Sequence, residues 1–171
     1  MRSESIARKK SPKGAANIRL ADYMDRKLIF LDLQADSKEE AIREIVGRMK
    51  ENHAIRDEES VLEEIFSRES RGGTSPGNGV AVPHARVKTI DRIIMAMARL
   101  STGVSFSAED RQPVRIVFIL ITPLEKLNEY WKVLAGLAKF LKDRKLLKQL
   151  LAVDSVEAAW ELFDTLAPRD Q

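Results

Sequence analysis

The sequence predicts an α/β fold, a single domain in which a sheet carries helices on both faces. Strand-like and amphipathic helical runs alternate along the chain, which is the order that layers helices over a sheet. One run, residues 114–121 (VRIVFILI), is apolar almost throughout, as in a strand covered on both sides. The helical runs open on side chains that cap orphan backbone N–H groups: Ser37 with Glu40 three residues on, Asp57 ahead of Glu58 and Glu59, and Asp154 with Glu157. A chain of 171 residues is long enough to bury one full core.

Taken in order, residues 1–17 are polar, basic and aperiodic, the pattern of a disordered lead-in, and the domain is expected over 18–167. Residues 28–33 (LIFLDL) read as a strand that breaks at Ala35-Asp36. The helix begun by Ser37 buries Ala41, Ile45, Val46 and Met49 and ends near Asn52. The next, capped by Asp57, presents Val61, Leu62, Ile65 and Phe66. Arg68 falls three residues past Ile65, so it is placed on the same inward face, while Arg71 lies nearer the loop with no assigned direction.

Residues 72–79 (GGTSPGNG) are a loop, because Gly and Asn accept positive φ and Pro76 breaks regular structure. The β-branched run 80–82 is then a strand that ends, or lies on a sheet edge, at Pro83, which has no N–H to give a ladder. Runs 93–100 and 114–121 are two more strands, joined through 103–106 and a polar turn 108–113. Residues 125–151 are helical, with Tyr130, Leu134, Leu137 and Leu141 on one stripe and a break near Asp143. The helix from Asp154 buries Val156, Ala159, Trp160 and Phe163.

The chain has no cysteine, so disulfides, thiolate metal sites and cysteine nucleophiles are excluded. The formal charge is only +3 and much of the excess sits in residues 1–13, so nucleic acid is not demanded. No apolar stretch reaches the roughly 18 residues of a membrane span, and no secretory core stands at the N-terminus; a cytoplasmic protein is expected. With two histidines and no cysteine, neither a metal nor a cofactor is called for. There is no phosphate-binding Gly-Lys-Ser/Thr loop, dinucleotide fingerprint or serine-hydrolase elbow.

His53, between two helices, reads as a helix-end or surface residue. His84 stands at a strand margin beside the Gly-rich loop, where a neutral imidazole is a competent nucleophile and loop amides and an Arg can hold phosphoryl charge. By spacing alone, a structural histidine beside an ordinary turn explains it equally well, and Arg68 equally serves as a cation complementing a helix C-terminus.

The run Ser67-Arg68-Glu69, then Thr74, then 77–85 (GNGVAVPHA), resembles the signature of the mannitol/fructose type of phosphotransferase-system (PTS) enzyme IIA, including its nitrogen-regulatory branch. Residues 112–118 (QPVRIVF) resemble that family's penultimate strand and 134–141 (LAGLAKFL) its following helix, so most of 18–166 is covered. The resemblance implies a mixed five-stranded sheet between helices, with His84 as the phosphorylated histidine and Arg68 beside it. Thr74, Gly77, Asn78 and Gly79 then support the phosphoryl group. It implies a histidine phosphocarrier protein as donor, and as onward partners a PTS IIB protein or regulatory targets such as a transporter or sensor kinase. The alternative is an IIA-like regulatory module acting by contact. Three positions depart from the family's pattern: Ser75-Pro76 stiffens the loop, and Tyr130 stands where a second histidine is general.

Overall fold

The sheet is built on one long hairpin-like pair. In the computed structural model, which describes residues 18–107 and 112–164, strands β4 (Ile94–Val104) and β5 (Val114–Pro123) run antiparallel, with Ala98 opposite Val117. Strand β1 (Ile29–Leu33) lies parallel to β4, and the short strands β2 (Val80–Ala81) and β3 (His84–Val87) both lie parallel to β5, on its other side. The result is a mixed five-stranded sheet. The expected disordered tail, most of the turn 108–113 and the end of the domain at 167 fall outside the described residues.

Helices α1 (Lys38–Glu51) and α2 (Glu58–Glu69) cover one face; α3 (Leu127–Leu141), α4 (Arg144–Ala152) and α5 (Val156–Asp164) cover the other. The two-residue period of β5 divides the core accordingly. Val117, Ile119 and Ile121 pack toward α1 and α2, and Ile116, Phe118 and Leu120 pack toward α3 to α5. Its almost unbroken apolar run is thus explained by burial on both sides.

Ser37 Oγ accepts from the Glu40 amide at 3.1 Å and Asp57 Oδ1 from the Ser60 amide at 3.0 Å, so both helices start as expected. The break at Asp143 is also present: its carboxylate accepts from the Lys145 and Leu146 amides and begins α4. At the end of α1, His53 adopts φ 61°, and the bonds His53 N–H to Lys50 O and Ala54 N–H to Met49 O close a Schellman turn.

As expected, β2 stops short of Pro83 and lies on a sheet edge, and pairing to β5 resumes at His84, opposite Leu120. The interruption is tolerated because this is the sheet edge, and the Pro83 carbonyl still accepts from the Leu120 amide at 3.1 Å. The cap of α5 is Ser155, not Asp154, since Ser155 Oγ accepts the Ala158 amide. Strand β4 continues past Leu100 to Val104, taking in residues expected to be connection.

Arg99 of β4 is buried. It donates to the carbonyls of Leu31 at 3.0 Å, Leu150 at 3.2 Å, Leu151 at 3.3 Å and Val153 at 2.6 Å. It therefore satisfies the carbonyl end of α4 and ties it to β1.

Candidate functional site

His84 is the first residue of β3, and its half-buried side chain faces away from Ala85 and Val87, which enter the core under α1 and α2. The bend at Pro83 brings the imidazole back onto its own chain, with Nδ1 2.9 Å from the Val82 carbonyl oxygen. A carbonyl can only accept, so Nδ1 carries the proton and Nε2 holds the lone pair. The fold thereby leaves one nitrogen, Nε2, with its lone pair free.

The ring borders a groove of about 580 Å³. One wall is the loop, through Thr74, Ser75, Pro76 and Asn78; the other is α3, through Leu134, Leu137, Ala138 and Leu141, with Lys142 just past its end; Arg68 and Val82 complete it with His84. The structure thus brings Arg68, Thr74, Asn78 and His84 to one groove. Gly77 and Gly79 shape the loop instead of lining the groove: their φ values of 97° and 75° are closed to most side chains. The amides of Gly77, Asn78 and Gly79 donate to no backbone carbonyl among the described residues. Arg71 is exposed and outside the groove.

Tyr130 is buried, and its ring centroid lies 5.9 Å from that of His84 at an interplanar angle of 48°. On its outer side the ring meets Trp131, centroids 5.1 Å apart. Tyr130 is therefore both a member of the α3 core stripe and a neighbour of the imidazole.

Burial is the largest influence on His84 and pushes its imidazole below the ordinary value of 6.5. The Arg68 charge pushes the same way, while the Val82 bond and Glu69 oppose both. The ring is thus neutral near pH 7, as a nucleophile must be. Burial likewise pushes the Tyr130 phenol above 10.0, with Arg68 and Arg86 pulling it back. The consequence is measurable. The His84 ring protons, followed by NMR, should titrate with a midpoint below 6.5, and any group acceptance at Nε2 should fall only in that acidic range; a midpoint above 6.5 would contradict the burial argument.

Arg68 is half-buried at the C-terminal end of α2, not fully on the inward face expected of it, and Nη1 donates to the Gly72 carbonyl at 3.1 Å. The buried position is Glu69, four residues past Ile65. Its carboxylate accepts from Thr74 Oγ1 and pairs with Lys38 Nζ at 2.5 Å, and Lys38 also reaches the Phe106 carbonyl. Two further bonds fix the loop against the strand: Val82 N–H to Thr74 O at 3.0 Å and Ser75 Oγ to Val80 O at 2.9 Å. Glu69 was missed as an organiser of the site. The spacing from Ile65 to Glu69 was the available signal, since i to i+4 continues a buried stripe.

A family described as "Phosphoenolpyruvate-dependent sugar phosphotransferase system, EIIA 2" matches residues 22–165. A nitrogen regulatory protein of Bradyrhizobium diazoefficiens is 31% identical over 144 residues, covering 84% of this chain and 94% of that one. Among solved structures, the nitrogen regulatory protein IIA-Ntr of Neisseria meningitidis superposes with a TM-score of 0.78 at 28% identity, covering 84% of this chain and 98% of that one. The mannitol IIA of Escherichia coli gives 0.68 at 27% identity, with 81% and 97% covered. The match runs through the loop, the Pro83-His84 bend and α3 together, and on it this chain belongs to the phosphotransferase-system enzyme IIA type 2 family.

Proposed function

We propose that the chain is a phosphocarrier that accepts a phosphoryl group on His84 Nε2 from a histidine phosphocarrier protein, itself charged from phosphoenolpyruvate. The observation that carries this is the Nδ1 to Val82 carbonyl contact, which leaves Nε2 as the basic nitrogen of a neutral ring beside Arg68. In the transfer, the Nε2 lone pair attacks phosphorus and the phosphorus–nitrogen bond to the donor histidine breaks. That electron pair returns to the donor ring, and Nδ1 keeps its proton against Val82 O. Arg68, with four guanidinium N–H groups beyond the one given to Gly72, and the amides of 77–79 neutralise the phosphoryl oxygens. Thr74 and Asn78 hold the loop side of the groove.

Onward use is either transfer to a PTS IIB protein or regulation by phosphorylation state. The regulatory use, through contact with a transporter or sensor kinase, is favoured because relatives of similar length bear nitrogen regulatory names. One observation supports a second reading, a regulatory module that is weakly phosphorylated or not at all: Tyr130 offers a neutral donor and no positive charge near pH 7. Incubation with the donor system and labelled phosphoenolpyruvate separates the two. Acid-labile label supports the carrier; none on the folded protein supports the contact module.

Arg68→Ala is expected to slow acceptance about tenfold to a hundredfold without loss of fold, because a charge-assisted bond to a phosphoryl oxygen is worth roughly 1.5–3 kcal/mol. Rapid-quench kinetics on the variant check this. Wild-type rates would return Arg68 to the role of a helix-end cation.

A further inference from the structure

Two residues beyond His84, on the same side of β3, stands Arg86. Its Nη2 donates to the Leu124 carbonyl at 2.7 Å, in the turn between β5 and α3, and the Leu124 amide in turn donates to Val87 O at 3.2 Å. That turn runs directly into the first turn of α3, where the Tyr130 amide bonds Lys126 O at 3.0 Å. Arg86 thus ties the strand bearing His84 to the helix bearing Tyr130.

In the sheet register Arg86 lies opposite Thr122, whose side chain is fully buried. Arg86 Nε and Thr122 Oγ1 are both buried without a hydrogen-bond partner among the described residues. No described carboxylate lies within ion-pair distance of Arg86 either. Buried polar groups are nearly always paired, so the partnerless Nε of this part-exposed guanidinium calls for an explanation other than packing.

We propose that Arg86 is a positioning residue for phosphoryl transfer at His84, clamping the turn that leads into the helix bearing Tyr130 and directing a positive charge toward that phenol. The proposal rests on the phosphocarrier reading above. A phosphoryl group brings about two negative charges, and Tyr130 supplies none to meet them. A positive charge acting on a phenol makes its hydroxyl a stronger donor, and that is the direction in which Arg86 acts on Tyr130.

The full chain and its Arg86→Gln and Arg86→Lys variants would be charged by the phosphocarrier system and, separately, by phosphoramidate, from which the phosphorus–nitrogen bond breaks and ammonia leaves. Acceptance and decay of phosphohistidine are followed by intact mass, and Tyr130 ionisation by near-ultraviolet titration against a Tyr130→Phe reference. The expected result is about tenfold slower acceptance and a shorter-lived phosphohistidine in Arg86→Gln, with the Tyr130 titration moved upward and most of both effects recovered in Arg86→Lys. Wild-type charging of Arg86→Gln overturns the proposal alone. So does a lysine variant as impaired as the glutamine one, or a glutamine variant that fails to fold, since each marks a purely structural role. Failure of both donors to charge the wild type overturns the phosphocarrier reading and this proposal with it.

Discussion

His84→Ala is expected to abolish phosphorylation completely while leaving the protein folded. The proposed nucleophile has no histidine or cysteine substitute: the only other histidine, His53, is exposed at the end of α1 in a cleft with Arg56 and Arg92, and there is no cysteine. The fold should survive because the imidazole makes one polar contact, to a carbonyl two residues back, and is only half-buried. A cost of about 1 kcal/mol is in keeping with such a truncation. Labelling of the variant by the donor system, with circular dichroism as the folding control, measures both parts. Label on His84→Ala would place the chemistry elsewhere.

Arg99→Ala is expected to be the most destabilising single change away from the site. The variant loses donors to four carbonyls, including those that end α4, and leaves a cavity between β1 and that helix. The Asp32 carboxylate at 3.7 Å is mostly exposed and contributes little by comparison. Orphaned buried carbonyls and a lost buried cation together cost about 3–5 kcal/mol. In urea the midpoint should fall with an unchanged slope. A loss below about 1 kcal/mol would mean that α4 re-caps itself with water.

Much of this was legible because it is local. Ser37, Asp57 and Asp143 announce helix starts within three residues of themselves, and β5 announces its double burial by an almost unbroken apolar run. His84 was legible for a similar reason, since Pro83 and the glycines of the loop dictate backbone geometry wherever they fall. What escaped depends on partners distant in sequence. Arg99 is explained only by carbonyls such as those of Leu31 and Val153, and Arg86 only by the Leu124 carbonyl. The resumption of pairing at His84 depends on β5 offering a second stretch of edge, which periodicity in 80–87 does not encode. Glu69 was a miss of a different kind: the stripe was read from Val61 to Arg68, whereas burial follows Ile65 to Glu69.

The central claim is that the bend at Pro83 selects Nε2 of His84 as the phosphoryl acceptor, and the direct test is the site of the phosphorus–nitrogen bond. The charged protein would be examined by phosphorus-31 NMR under non-acidic conditions, with peptide mapping to place the label. The geometry predicts a single phosphohistidine at His84, substituted on Nε2, with Nδ1 still protonated toward Val82. Phosphorus on Nδ1, or on any residue other than His84, would contradict it.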